Sequence, residues 1–131
     1  MKKTITIITA LFAPYCLAHA GLSENQAMRA IIGEAGNQTD QAMLGVACAL
    51  HNRGTLHGVY GAARVPSGFH AMTGRSQVLR ARALRAWHKS AKIDITAGCR
   101  YFGCPQDAPY FLRKLHFRPV LTIGAITFYR P

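Results

Sequence analysis

The chemistry open to this chain depends on very few acidic side chains. The sequence has five aspartates and glutamates against sixteen lysines and arginines, so an acid or base made from a carboxylate has few candidates. Glu34 is the best placed of them. At about 100° per residue it falls at the edge of an apolar helical stripe, beside Ala27 and Ile31. Partial withdrawal from water favours the protonated form of a carboxylic acid, which a general acid needs. The position also suits an ordinary glutamate on a solvated helix flank.

Two predicted helices position this part of the chain. Ser23 to Gln26 match the capping box that opens a helix, and we expect that helix to end near Ala35. Thr39 and Asp40 then offer a new cap for a second helix over residues 41–53, ended by the following glycine. Because this second helix is apolar on nearly all sides, the sequence predicts that it is central and buried.

A long loop and a third helix follow. Residues 54–74 are rich in glycine without a sustained period, which indicates a surface loop, and loops of this length are usually functional. Ser76 is expected to cap a third helix over residues 77–91, with an apolar face that includes Trp87. The opposite face is basic, and it fits either a solvated surface or contact with an anionic polymer. Its members are Arg82, Arg85, Lys89 and Lys92.

The end of the chain predicts a small antiparallel sheet. Extended segments are expected at 98–102, 120–123 and 126–129, and Gly124-Ala125 is typical of a two-residue hairpin turn. Helices followed by an antiparallel sheet define an α+β domain. We therefore predict one small α+β domain with three main helices and a short C-terminal antiparallel sheet.

The first twenty residues have the order of a secretory signal peptide. Lys2 and Lys3 precede an apolar run from residue 5 to 17, and Ala18-His19-Ala20 is a cleavage signal. Residues 21–131 would then be a single exported domain, periplasmic or cell-wall associated, with no stable membrane span. Loss of the two lysines lowers the formal net charge from +11 to +9. Such a charge favours an anionic envelope polymer as partner, and export argues against nucleic acid.

The cysteines and histidines predict little chemistry. Cys48, Cys99 and Cys104 remain after cleavage, so at most one internal disulfide can form. Buried, unpaired thiols are an equal alternative. No spacing is typical of a zinc site, and we expect no metal and no cofactor.

Four segments together resemble a known family. Residues 30–35 (AIIGEA) and 46–53 (VACALHNR) resemble the "GEA" and "VAAVxLNR" opening of cell-wall hydrolases of the spore-cortex-lytic type. Residues 97–102 with Pro105 are similar to its "GGAxYF … P" segment, and residues 122–130 to its closing "xIGxHxFYR" hairpin. The four lie in the same order and cover about residues 22 to 130.

The resemblance implies a lysozyme-like scaffold that cuts the glycan strands of peptidoglycan, with Glu34 as the catalytic acid. Several members are lytic transglycosylases, for which one carboxylate suffices, and we expect a monomeric enzyme of this kind. A muramidase-type hydrolase needs a second carboxylate, and Asp94 is the first candidate for it, ahead of Asp107. A non-catalytic cationic peptidoglycan-binding protein is the alternative from another class.

The resemblance also implies substrate-binding residues. Asn52 matches the asparagine of "LNR", where it would orient the loop or bind an acetamido group, and an ordinary hydrogen bond at the helix end is equally compatible. Tyr101 and Phe102 match the "YF" pair, and alternation along a strand sends one towards the groove and the other towards the core. Phe69 and His70 fall in the long loop, as groove contacts or as loop anchors.

Overall fold

Three α-helices and one three-stranded sheet make up the fold of the computed structural model, which describes residues 21–65 and 74–131. The helices are α1 (Glu24–Ala35), α2 (Asp40–Arg53) and α3 (Arg75–Ser90). The predicted α+β class is confirmed, with the sheet near the C-terminus. Among the described residues, no helix combines the length and the apolar character that crossing a bilayer requires.

The N-termini of two of the three helices follow local capping chemistry. Ser23 and Gln26 form the predicted capping box of α1, and the Thr39 hydroxyl accepts the N–H of Ala42 at the start of α2. Gly54 ends α2 in the left-handed conformation at φ 68°. The prediction that Ser76 caps α3 was wrong, because the helix begins at Arg75 after Gly74 and lacks a side-chain cap.

The core surrounds α2, as its apolar sequence predicted. Every residue from Ala42 to Leu50 is buried. The apolar faces of α1 and α3 pack on this helix, and the predicted face of α3 buries Ala83, Ala86 and Trp87. Phe128 closes the core from the sheet and is fully buried. The buried α2 therefore contacts both other helices and the sheet.

The sheet has the order β1-β3-β2, and both pairings are antiparallel. Its strands are β1 (Tyr101–Gly103), β2 (Arg118–Ile123) and β3 (Ile126–Arg130). Gly124 and Ala125 form the predicted hairpin turn between β2 and β3, and Gly124 has φ 59°. β3 is the central strand and supplies the buried side chains Ile126, Phe128 and Tyr129.

The connection from β1 to β2 contains two short helical turns that the sequence did not predict. A 3-10 turn covers Pro105–Asp107 and a π-helical turn covers Tyr110–Lys114. The ring of Phe111 in the second turn stacks on Tyr129, with 4.4 Å between centroids. This contact holds the connection against the sheet and brings aromatic side chains towards the end of α1.

The three cysteines of the described part are unpaired thiols. Cys48 and Cys99 are buried, and Cys104 is partly exposed. Burial raises the pKa of all three thiols. Of the two alternatives that the sequence left open, the structure shows buried small hydrophobes for Cys48 and Cys99.

Candidate active site

A cleft of about 200 Å³ lies where the last turns of α1 and α2 meet the β1–β2 connection. Glu34 comes from α1 and Arg53 from α2, while Phe102 lies on β1. Two further sides are formed by residues 58–64 and by the two helical turns of the β1–β2 connection. Those segments contribute Tyr60, Arg64, Asp107, Tyr110 and Phe111. The cleft therefore collects carboxylates, guanidinium groups and aromatic rings from distant parts of the chain.

The Glu34 carboxylate is half-buried and held by one backbone hydrogen bond. The N–H of Gly61 donates to Oε1 of Glu34 at 2.7 Å. Oε1 accepts this bond, and Oε2 accepts none from the described residues, which leaves Oε2 the less engaged oxygen for proton exchange with a substrate. This arrangement orients the acid group without neutralising it by an ion pair.

Two glycines make the hydrogen bond to Glu34 possible. A Cβ added to Gly33 would lie 1.9 Å from the carbonyl oxygen of Gly61, and a Cβ added to Gly61 would lie 2.6 Å from Oε1 of Glu34. Both distances are far below van der Waals contact, so only glycine at both positions lets the 61–64 turn approach α1 this closely. This close contact explains why the residue before Glu34 is a glycine.

Arg29, which lies about one helical turn before Gly33 on α1, also holds the 61–64 segment through hydrogen bonds. Its guanidinium donates to the carbonyl of Val65 from Nε at 2.9 Å and from Nη2 at 2.6 Å, and to the carbonyl of Ala62 at 3.1 Å. The 3-10 turn Gly61–Arg64 thus has polar contacts to α1 at both ends. The position of the Gly61 N–H depends on these contacts.

The cleft carries balanced formal charge. Glu34 and Asp107 supply two negative charges, and Arg53 and Arg64 supply two positive ones. Arg53 donates to the carbonyl of His57 and lies over the Tyr101 ring, 5.6 Å from its centroid. Burial lowers the pKa of the Arg53 guanidinium, although it remains charged near neutral pH.

Asp107, not Asp94, shares the cleft with Glu34. Its Oδ2 accepts the N–H of Cys104 at 2.9 Å within the 3-10 turn Pro105–Asp107. The sequence analysis ranked Asp94 ahead of Asp107, although both residues lie in predicted loops. The unpredicted 3-10 turn is what brings Asp107 to the cleft.

Asp94 instead organises the loop before β1. Its Oδ1 accepts the N–H and the hydroxyl of Thr96 at 2.8 and 2.6 Å, and its Oδ2 accepts the N–H of Gly98 at 2.8 Å. Burial alone would raise the pKa of Asp94, but hydrogen bonds from Thr96, Asn52 and Gly98 outweigh it and hold that pKa below its ordinary value. Because its carboxylate accepts all these hydrogen bonds, we assign Asp94 a structural role.

Asn52 belongs to the same loop network. Its amide donates to Asp94 Oδ2 at 2.9 Å, to the Thr96 hydroxyl at 3.4 Å and to the Cys99 carbonyl at 3.0 Å. It is absent from the lining of the cleft. The structure thus ties the end of α2 to the loop before β1 through Asn52 and does not bring it to Glu34.

The two aromatic residues of β1 diverge as strand alternation predicts. Phe102 lines the cleft with Glu34. Tyr101 packs against Phe117, with 4.6 Å between ring centroids, and lies under the Arg53 guanidinium. Tyr101 does not line the cleft itself but contacts Arg53, which does. Phe69 and His70, the remaining predicted contacts, lie outside the described residues.

Three aromatic residues of the cleft were missed by the sequence reasoning. Tyr60 is 75% exposed and Tyr110 is 50% exposed, although both are large rings. Phe111 stands beside Tyr110 in an edge-on arrangement, with 5.8 Å between centroids. For Tyr60 a signal existed, since it lies in the long loop predicted to be functional; Tyr110 and Phe111 carried none.

Comparison with protein-family models gives no match for this chain, and neither curated proteins nor solved structures give one. Any functional conclusion therefore rests on the sequence and on the geometry of the cleft.

Proposed function

We propose that the protein cleaves the glycan strands of peptidoglycan, as a lytic transglycosylase with Glu34 as its single general acid and base. The observation that carries the proposal is the Glu34 carboxylate itself. One of its oxygens is fixed by the Gly61 N–H, and it faces a cleft bordered by exposed tyrosines. Cleavage of a glycosidic bond requires a positioned acid that protonates the leaving oxygen, and Glu34 supplies such a group.

The reaction can be written with this one carboxyl group. Protonated Glu34 gives its proton to the glycosidic oxygen as the bond to the muramic C1 breaks. The resulting carboxylate then takes the proton of the muramic C6 hydroxyl, whose oxygen bonds to C1 and closes a 1,6-anhydro ring. Glu34 ends protonated, as it began, and no water is consumed.

The aromatic residues support a sugar ligand. Tyr60 and Tyr110 present large, exposed rings at the same cleft, and exposed apolar surface grouped around a groove is typical of a binding site. The faces of sugar rings carry C–H groups that pack on aromatic rings, while sugar hydroxyls suit the charged groups beside them. Glu34, Asp107, Arg53 and Arg64 supply those charged groups.

The choice of peptidoglycan comes from the sequence. The signal-peptide pattern of residues 1–20, the net positive charge and the four segments that resemble cell-wall hydrolases all favour an anionic polymer outside the membrane. Of the residues that carry the resemblance, Gly33 is one whose type has a steric explanation, because a side chain there would clash with Gly61.

Hydrolysis is the second candidate, because Asp107 lines the same cleft as Glu34. A hydrolase uses the second carboxylate as nucleophile or as the base that activates water. The two reactions leave different ends: an anhydro-muramic end after transglycosylation and a reducing end after hydrolysis. Replacement of Asp107 by asparagine would abolish hydrolysis but leave the one-carboxylate reaction in place.

The test compares two glutamates of the same helix. Glu34→Gln keeps the size of the side chain but cannot donate a carboxylic proton, so we expect fragment release from purified peptidoglycan to fall by about a hundredfold or more. Glu24→Gln is the matched control. Glu24 lies at the other end of α1, exposed and paired with His88 at 2.7 Å, and its replacement leaves the cleft intact. Mass spectrometry of the soluble products identifies the ends.

Three results would contradict the proposal. Full activity in a folded Glu34→Gln protein would show that Glu34 is not the catalytic acid. Reducing ends from the unmutated protein would indicate hydrolysis. Salt-sensitive binding to sacculi with no fragments from any variant would indicate a non-catalytic binding protein.

A further inference from the structure

A second cavity, separate from the cleft of Glu34, lies between the first turns of α2 and the basic face of α3. It has a volume of about 210 Å³. Arg82, Arg85 and Lys89 line it from α3, and their spacing places all three on one side of that helix. Leu44 and Ala86, both buried, give it an apolar surface. We call this cavity the basic pocket.

One of the three cations in the basic pocket is already neutralised. Arg82 donates from Nε to Oδ1 of Asp40 at 2.6 Å and from Nη2 to the carbonyl of Gln38 at 2.8 Å. These bonds fix the guanidinium in place. They also occupy Asp40, which is the only acidic residue of the pocket.

In the described part of the chain, neither Arg85 nor Lys89 forms an ion pair with a carboxylate, although the charge of Arg85 helps to lower the pKa of Asp40. All five acidic residues of the sequence lie within residues 21–65 and 74–131, so each can be accounted for. Glu24 pairs with His88, Glu34 and Asp107 line the cleft, and Asp94 holds the loop before β1. The basic pocket therefore keeps a formal charge of +2, from three cations and Asp40.

We propose that the basic pocket binds a carboxylate of the peptidoglycan stem peptide. The identity of the ligand rests on the proposed function, whereas the anionic chemistry rests on the pocket. The planar guanidinium of Arg85 suits a carboxylate in two-point contact, and Lys89 adds a second charge. The apolar surface of Leu44 and Ala86 suits the methyl group of an alanine beside that carboxylate.

A peptide group fits the basic pocket better than a membrane surface does. Helices that bind membranes place large exposed apolar side chains next to their basic residues. Here Val78 is the only large exposed apolar side chain of α3, at 59%, and the apolar residues of the pocket itself are recessed: Leu44 is 4% exposed and Ala86 is 7% exposed. They are accessible to a small side chain that enters the pocket, but not to an acyl chain in a flat layer.

The position of the pocket suggests what the contact does. Leu44 and Arg53 lie on the same helix, nine residues and thus roughly 14 Å apart along its axis, and Arg53 lines the cleft. A stem peptide of four residues spans up to about 14 Å when extended, so the peptide in the pocket would belong either to the muramic residue in the cleft or to a neighbouring one. The pocket would retain the enzyme on its polymer between cuts.

Binding of a soluble stem peptide tests the inference without requiring turnover. The probe is the tetrapeptide alanyl-γ-glutamyl-diaminopimelyl-alanine, titrated by calorimetry into the Glu34→Gln protein. We expect Arg85→Gln/Lys89→Gln in that background to weaken binding about tenfold or more, since two charge-assisted contacts are lost. Arg75→Gln/Arg118→Gln is the control: it removes the same charge from two exposed residues outside both cavities. Thermal unfolding verifies that both variants are folded.

The outcomes separate this inference from the proposed function. Equal weakening by both double variants, or no binding of the peptide by the parent, overturns the inference. Binding to phosphatidylglycerol vesicles through Arg85 and Lys89, without binding to the peptide, also overturns it and assigns the pocket to a membrane. Peptide binding beside an unmutated protein that releases no fragments refutes only the proposed function.

Discussion

At the residue scale, the close contact of Gly33 with Gly61 predicts whether Gly33→Ala stabilises or destabilises the protein. Alanine is the better helix former by about 1 kcal/mol, so propensity alone predicts that Gly33→Ala stabilises α1. A Cβ at this position would instead lie 1.9 Å from a backbone oxygen that cannot rotate away. We expect the free energy of unfolding to fall by about 1–3 kcal/mol, with loss of activity as the 61–64 turn is displaced from Glu34. Urea denaturation measures the change.

Gln77→Ala provides the control for the glycine prediction. Gln77 is exposed on α3, and its replacement by alanine should alter stability by less than about 0.5 kcal/mol. A Gly33→Ala protein more stable than the unmutated one would show that α1 and the turn are not in close contact.

Asp94 makes a second prediction at the residue scale, concerning acid stability. Its hydrogen bonds hold the pKa below the ordinary value of 3.8, so the charged form stabilises the folded state above that pH. This contribution disappears as the pH falls through the lowered pKa. Asp94→Ala should therefore cost about 1–2 kcal/mol at pH 7 and progressively less below about pH 4.

Denaturant titrations of both proteins at pH 7 and at pH 3 measure the difference. Glu24→Ala, which removes an exposed hydrogen bond to His88, should cost less than about 1 kcal/mol at pH 7. A cost for Asp94→Ala that stays constant from pH 7 to pH 3 would contradict the assignment of its carboxylate to the loop before β1.

At the element scale, the 3-10 turn Gly61–Arg64 is positioned by α1 through Arg29. Arg29→Lys keeps the charge but loses the fork that spans the carbonyls of Val65 and Ala62. We expect a loss of about 1–2 kcal/mol in stability and about a tenfold fall in activity, since Gly61 no longer holds Glu34 steadily. Hydrogen exchange should show a less protected Gly61 amide.

Arg75→Lys at the exposed start of α3 is the matched control, and neither measurement should change. Unchanged exchange at Gly61 in Arg29→Lys, together with lower stability, would make Arg29 a general packing residue. It would then have no part in the position of Glu34.

At the scale of the whole molecule, the net charge governs contact with the wall. The 131-residue sequence carries a formal charge of +11, and its acidic residues are too few to neutralise the basic ones. Binding of the Glu34→Gln protein to sacculi should weaken strongly between about 0.01 M and 1 M salt, as the screening length falls from about 30 Å to about 3 Å. Sedimentation with sacculi measures it.

The double variant Arg85→Gln/Lys89→Gln should bind sacculi less than the matched Arg75→Gln/Arg118→Gln at low salt. The two variants should converge at high salt. Salt-independent binding of the parent would show that the charge of the molecule does not direct it to the wall.

The sequence by itself determined the features that depend on neighbouring residues. The cap of α1, the start and end of α2 and the Gly124-Ala125 turn all follow from side chains or glycines within four residues of the position concerned. The burial of α2 followed from its composition. The start of α3 did not follow from local sequence. Ser76 has the residue type of a cap, but the helix begins one residue earlier, at Arg75, and Gly74 has no side chain that could indicate this.

Only the tertiary structure decided how the cleft is built. The Gly61 N–H reaches Glu34 across 27 residues of chain, and Asp107 reaches the same cleft through a 3-10 turn without sequence periodicity. The same holds for Asn52, which the fold commits to Asp94 and not to the cleft. Such contacts depend on how whole elements pack on α2. The pattern around Glu34 could mark the residue, but only packing could supply its neighbours.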